Sequence, residues 1–410
     1  MLKAGALYFA IVIAFMIAVI SASLIMLAAH YRNAYLKEIR YDRLLNNLNS
    51  GLIYALADEQ KINDSLVLDL YGDGTDSLLI RQKKWGIFEL TVLQTFIQQD
   101  TLKKAFLIGT STDSTALYLS DEDRPLAVSG QTKITGNVKL PKAGIKQAYA
   151  EGKPYEGKEL VYEGKITNSD RTLNQLDVEI LAHLKENLSK ETTLFPTLAE
   201  QDLSASFLRP TKIFKIPASS TLSKINLKGN VILYSDSVVN ISADAQLDHI
   251  QIYAKSIIVA DGFKGSCQLF ATDSISVGKN AVFDYPSVLG VIRTEKSIDQ
   301  PQIAIGEKTQ INGIVFTFED KRSAMQTFIS LAKEVTVKGE VYGVGIVKLS
   351  DGVAITGKVS CNRFLMQSPV TLYENFLINI AINRKARSKY YLSSKLFSNQ
   401  QQNHILQWLN

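Results

Sequence analysis

Hydrophobic and polar positions divide the chain into an apolar segment, a helical stripe and a long tract of short alternating runs. From Ala4 to Ala29 there are 26 consecutive residues without a charge, and Ser21 and Ser23 interrupt them. A helix rises about 1.5 Å per residue, so roughly 20 residues cross an apolar layer of about 30 Å. The spacing predicts a membrane-spanning helix within residues 1–30. The run continues into His30, Tyr31 and Arg32 without the short core and small-x-small exit of a cleaved secretory peptide, which points to an uncleaved anchor. A buried helix of a soluble core would show a polar stripe over seven turns. Beyond it, Tyr41, Leu44, Leu45, Leu48, Leu52 and Leu56 recur at steps of three or four. That predicts a helical stalk over residues 31–60, with Gly51 marking close packing or a bend.

After Asp58 the period shifts to strands, and residues 61–126 read as a β-rich domain. Leu66 to Leu70 and Ser77 to Ile80 flank Gly72-Asp73-Gly74, a hairpin with a Gly/Asp turn. Asp69, Asp73 and Asp76 lack the spacing of a calcium loop and fit turn chemistry. Trp85 and Phe88 read as core, and Ala105 to Ile108 as a buried strand.

From about Ala127 a short unit, apolar-x-Gly-x-apolar, recurs around Gly136, Gly229, Gly313, Gly339 and Gly357. Between the copies lie β-branched runs of three to five residues, among them Val231 to Leu233, Ser256 to Val259 and Ser274 to Val277. Strands this short bury a face only by stacking, as in a parallel β-solenoid whose coils of roughly 16 to 24 residues turn at Gly or Asn. Hairpin signals are mostly missing from residues 210–365, which disfavours a β-sandwich. The organisation expected is a β segment with a helical insertion over 127–209, a solenoid over 210–365 and a C-terminal cap or tail over 366–410. Leu176, Ile180, Leu181 and Leu184 predict a helix capping the solenoid, and Ile405 to Leu409 a short amphipathic helix that docks as the second cap, behind a solvated Gln400-Gln401-Gln402 run. The fold class expected is mainly β, with an N-terminal transmembrane helix and stalk, a mixed β region and a parallel β-solenoid with helical caps.

Composition narrows the function. With 46% hydrophobic and 21% charged residues, the chain is not disordered, and its net charge of +5 does not favour nucleic acid. Two cysteines, Cys267 and Cys361, and four scattered histidines imply no structural metal, and no cofactor is expected. Both cysteines read as small core residues. Arg384, Lys385, Arg387 and Lys389 form the dense basic cluster, read as a solvated face, with an anionic lipid or polysaccharide surface as the alternative. No nucleophile elbow or phosphate loop occurs. Solenoids also host polysaccharide-active enzymes, and Asp236 and Asp261 are the weak catalytic candidates if stacking brings them together.

Lys3-Ala4-Gly5, the apolar run and the polar helix ending in Leu48 to Ala57 resemble the N-terminus of type IV pilin-like proteins, the minor pilins in particular, over about residues 1–57. The resemblance implies processing between Gly5 and Ala6, placement of the C-terminal domain outside the cytoplasm, and assembly partners in the envelope. Ala10 stands where most pilins carry a glutamate. The alternation over about 150 residues of the C-terminal half resembles bactofilin-type and other right-handed β-helices. Together these imply a non-catalytic structural or assembly protein of a bacterial envelope, single-pass in the inner membrane, with anchor and stalk as the route to oligomers. Arg32, Lys37, Arg40 and Arg43 follow the span, and the positive-inside rule alone keeps the bulk of the chain cytoplasmic. The alternatives are therefore a cytoplasmic, membrane-tethered bactofilin-like scaffold and a surface carbohydrate-active enzyme or binding module.

Overall fold

The computed structural model describes residues 3–57, 64–72, 74–294, 299–368, 371–397 and 402–409. The chain is mainly β and forms two compact units, Met1–Gln82 with Thr91–Lys104, and Lys83–Leu90 with Ala105–Asn410.

The first unit is organised by helix α1, Lys3–Leu56, which at about 1.5 Å per residue is roughly 80 Å long. Strand Ser65–Leu68 pairs antiparallel with Asp76–Trp85, Leu68 opposite Leu78, closing the expected hairpin. The Asp69 carboxylate accepts backbone N–H bonds from Tyr71, Gly72 and Gly74, so it serves its own turn, while Asp73 lies outside the described residues. The buried stripe of α1 is Leu44, Asn47, Leu48, Gly51 and Ala55. This differs from the stripe expected, since Tyr41 is 53% exposed and Leu45, Leu52 and Leu56 are half-buried. Gly51 decides the rotation. A Cβ there would stand 2.7 Å from Leu78 Cδ2, so the hairpin approaches the helix at the one residue of the buried stripe without a side chain. Arg40 with Asp100, Arg43 with Asp76, and Gln82 donating to the Ala55 carbonyl complete the contact.

The second unit is built on a stack of parallel coils. Asp202–Ala205 pairs with Asn226–Gly229, which pairs with the start of Gln246–Val259, and so on through Lys264–Val277, Val282–Ile292, Gln310–Phe318, Thr336–Leu349 and Ala354–Gln367. Each coil has three strand segments and hence three faces. The third runs from Val238–Ile241 through residues 256–259 and 274–277 to Gln302–Ile305 and Thr327–Leu331. A coil takes 18 residues from Thr336 to Ala354 but 28 from Ser274 to Gln302, wider than the spacing expected because loops leave some corners. Side chains alternate in and out along each strand. Leu233, Ile252, Leu269, Leu289, Val315, Val341 and Val359 form one inward column, each in register with the next.

The stack does not end where the chain order would end it. Val359 pairs with Leu117, and Ile382 with Ile134; Val138 then pairs with Leu117, and Ile166 with Val138. In space, residues 115–168 therefore follow 354–383, wound in the same parallel sense. The segment between, residues 169–201, has to return along the stack. It meets Tyr118 at Thr172, Tyr342 at Asn174, Tyr234 at Asn187, Asp236 at Thr192 and Lys215 at Pro196.

This route explains helix α2, Val178–Leu188, whose N-terminus is capped by Asp177 accepting from the Ile180 N–H. Rather than closing an end coil, α2 turns Ile180, Leu181 and Leu184 onto the flank, against Gln246–Val259 and Lys264–Val277. The outward positions of the second face there are Tyr234, Tyr253 and Phe270, stacked at ring distances of 5.3 and 5.0 Å. Aromatics of that size demand a cover, and the returning segment supplies it. The second cap also differs from expectation. Asn403–Leu409 is a strand, antiparallel to residues 105–110 with Trp408 opposite Phe106, because an open strand edge overrides a short helical spacing. Of the glutamine run, Gln400 and Gln401 lie outside the described residues.

Corners between the third and first faces use left-handed backbone. Gly262, Gly352, Asn280 and Asn379 fill it as the turn chemistry predicts, but Lys224, Lys308 and Glu334 do so as well, with φ of 51°, 59° and 58°. The left-handed conformation costs an ordinary residue about 1–2 kcal/mol. At this corner successive coils place opposite charges together, Lys279 with Glu307 at 3.1 Å and Lys308 with Glu334 at 4.0 Å. Exposed pairs return only a fraction of that cost.

The repeated glycines sit at the bend between first and second faces. A Cβ at Gly229, Gly313, Gly339 or Gly357 would collide with the carbonyl oxygen one coil earlier, on Ala205, Ser287, Gly313 and Gly339 respectively. At Gly136 it would lie 3.0 Å from Arg384 Cβ. Gly339 has φ +151°, and its Cβ would also approach the Tyr391 hydroxyl at 2.7 Å. Gly339→Val is expected to destabilise the chain by more than about 1 kcal/mol. Lys338→Ala, on the outer side of the same strand, should stay within about 0.5 kcal/mol. Thermal denaturation of the two variants checks the difference.

Candidate functional site

Two features stand out: the apolar half of α1, and a buried polar cluster where the C-terminal segment crosses the glycine bend. Along residues 5–39 of α1 nearly every side chain is exposed, with Leu7 at 65%, Phe15 at 69% and Met26 at 77%. It is one helix long and apolar enough to cross a membrane, by length and composition. Water does not tolerate an apolar surface of that length, which demands lipid or protein around it. Gly5 and Ala6 lie in its first turns, both exposed.

The polar cluster is centred on Glu340 and Arg387, which are 3% and 6% exposed and face each other at 3.5 Å. Glu340 follows Gly339 and so emerges where the bend has no side chains. The Arg387 guanidinium lies 4.5 Å from the centre of the Tyr391 ring and donates to Thr112, while Tyr285 packs against Tyr391 at 5.4 Å and donates to the Leu392 carbonyl. Burial first, then the Glu340 charge, pushes the Tyr391 hydroxyl well above its ordinary range. The cluster thus holds residues 384–397 against the coil bend.

The basic cluster read as a solvated face is used largely for this purpose. Arg384 donates to the Asp113 carbonyl at 2.7 Å, Lys385 pairs with Glu163 at 3.1 Å, and Arg387 is buried, while Lys389 lies over the Tyr390 ring. The solvated reading holds for Lys385 and Lys389, which are exposed, and fails at Arg387, because alternation cannot show that this residue meets a buried acid. Glu340 was legible only as the acid that follows Gly339, at a position that Asn230 and Ile314 fill, both buried, in two other copies of the unit.

Stacking does not bring the acid candidates together. Asp236 occupies the corner after Val231–Tyr234, where Thr192 donates to it; Asp261 occupies the corner after Gln246–Val259, where it accepts the Lys279 N–H at 2.7 Å. Each ties its corner to another segment, Asp236 to the returning segment and Asp261 to the next coil. Cys267 and Cys361 are buried and free, with thiols pushed up by burial. Among the described residues no three of His, Cys, Asp and Glu group as a metal site.

No protein-family model matches the chain, and no curated protein sequence does. Among solved structures, that of the competence-associated pilin ComZ from Thermus thermophilus is similar, with a TM-score of 0.27 and 10% identity, over 85% of this chain and 88% of that one.

Arg387→Ala leaves Glu340 buried without its partner and is expected to cost about 3–5 kcal/mol, read by chemical denaturation. The double variant Arg387→Ala with Glu340→Ala should recover part of that loss, because the orphaned charge is gone. On α2, burial, then Lys84 and Lys190, lowers the His183 pKa from 6.5 to about 4. Its neutral form is therefore the one folded, and stability present above pH 6.5 is lost as pH falls towards 4. His183→Gln should flatten that part of the stability profile.

Proposed function

We propose that the chain is a membrane-anchored, non-catalytic structural or assembly component of a bacterial envelope, of the minor-pilin-like kind, whose coil stack is displayed outside the cytoplasm. The exposed apolar half of α1 carries this reading. It continues without a break into the helix that packs in the first unit, so anchor and stalk are one rigid element. The corner acids Asp236 and Asp261 are engaged in tying their corners to neighbouring segments, which suits a rod whose task is display.

One observation favours a cytoplasmic, tethered scaffold instead, namely the positive charge beyond the span. Arg40 and Arg43 have a second reason to be there, since both form ion pairs within the first unit, which leaves Arg32 and Lys37 as the charges nearest the span. Protease treatment of intact spheroplasts separates the two: degradation of the coil stack supports display outside, and full protection supports the scaffold.

The anchor should resist alkaline carbonate extraction, and Ile17→Arg should lower membrane yield, since a charge at mid-bilayer costs about 2.5–3.5 kcal/mol on insertion scales. Recovery of full-length protein in the soluble fraction would count against the reading. In cells containing a prepilin peptidase, mass spectrometry should find Ala6 as the first residue.

A further inference from the structure

The returning segment that covers the second face is pinned on either side of α2. Before the helix, the Asp177 N–H donates to the Leu396 carbonyl; after it, the Thr192 hydroxyl donates to Asp236. Between these pins lies a hub at Asn187, in the last turn of α2 and 3% exposed. Its Oδ1 accepts from Tyr234 at 2.5 Å and from Lys190 at 2.9 Å. An ammonium only donates, which fixes the amide oxygen on that side and turns Nδ2 towards His183. There Nδ2 donates to the His183 carbonyl at 2.8 Å and lies against the imidazole, 3.1 Å from Nε2 and 3.4 Å from Nδ1. A neutral ring can receive that N–H. An imidazolium carries N–H on both nitrogens and accepts nothing, so a proton on His183 sets donor against donor.

The charges around the half-buried ring act in the same direction. Lys84 and Lys190 are the cations beside it; Glu186 lies between His183 and Lys190 on α2, Glu179 pairs with Lys84 at 3.5 Å, and Lys185 pairs with Asp320 at 2.6 Å. The strands beneath α2 turn Gln251, Tyr253, Gln268 and Phe270 outward, and burial keeps the Tyr234 and Tyr253 phenols neutral. Burial and the two lysines therefore outweigh Glu186. We propose that His183 is an acid latch: its protonation breaks the Asn187 hub, frees α2 between its two pins, and uncovers the stacked rings of Tyr234, Tyr253 and Phe270. The coils beneath stay closed, because their core is apolar and has no group to titrate at that depth. In the freed helix the imidazole titrates at its ordinary 6.5, and in the closed one at about 4. Acid thus favours the open form, and from pH 7 to pH 5 the opening equilibrium rises roughly twentyfold. The latch goes beyond the display role proposed above and does not depend on the side of the membrane on which the stack lies.

The test is hydrogen exchange of the full chain in detergent micelles at pH 7 and pH 5, both above the ordinary carboxylate range, read as protection factors. Amides 182–188 should lose roughly twentyfold in protection at pH 5, while those of residues 250–254, in the coil beneath, keep theirs. His183→Gln keeps an uncharged acceptor beside Nδ2 and should show the same protection at both pH values. Asn187→Ala removes the hub and should leave α2 poorly protected at both. If His183→Gln does not hold α2 closed at pH 7, NMR titration of the ring decides: His183 should titrate well below 6.5 in the wild type and near 6.5 in Asn187→Ala. Four results overturn the proposal: no loss in the wild type, an equal loss in His183→Gln, full protection of α2 in Asn187→Ala, or a loss that extends to residues 250–254. Equal ring titration in the wild type and Asn187→Ala does so as well.

Discussion

Everything in the larger unit depends on parallel pairing between successive coils. Each coil satisfies its backbone through the one before and the one after, so no coil is stable alone and any interruption leaves two raw edges. The chain meets this constraint out of order, with residues 115–168 seated on 354–383. Ionic and polar bonds tie that join, among them Glu122 to Arg363 and Arg322, Lys358 to Asp113, and Asn362 to Ser120. Pairing alone does not distinguish one parallel edge from another, and these side chains set which edges meet.

The out-of-order join has a second consequence, because residues 169–201 must travel the length of the stack. That return path is used as a cover. Tyr118, Tyr234 and Tyr342 donate to it one after another, and α2 seals the stacked rings between. A face rich in aromatic residues and a long connection are thus two sides of one solution: the rings would be exposed without the connection, and the connection would have nothing apolar to bind without the rings. The same logic applies at the glycine bend, where missing side chains leave room for residues 384–397 and where Glu340 and Arg387 neutralise each other out of water.

The long helix α1 has an apolar half and a packed half. Its apolar side chains have no partner along residues 5–39, and its burial in protein begins only where Leu44 and Leu48 meet the hairpin. A single helix therefore carries two surfaces in series, one apolar and exposed and one packed on a folded core, and Gly51 sets how closely the second is approached.

The sequence by itself determined those parts of the structure that depend on local period. The uncharged run to Ala29 defined the long helix, the alternation of short β-branched runs defined stacked parallel strands, and the turn residues around Asp69 defined the hairpin. The recurring glycines stood out as a frame before their reason was visible. Tertiary structure decided whatever depends on which edges and faces meet. Nothing in the local pattern shows that Leu117 follows Val359, that α2 lies on a flank, or that Ile405 to Leu409 pair as a strand with residues 105–110. The helical stripe rotated away from Tyr41 because the contact point is chosen by the approach of Leu78 at Gly51, not by hydrophobicity alone. For the candidate site, the exposed apolar helix was legible because composition is a local property. The Glu340–Arg387 pair was not, because 47 residues separate the two partners and only the fold brings them to 3.5 Å.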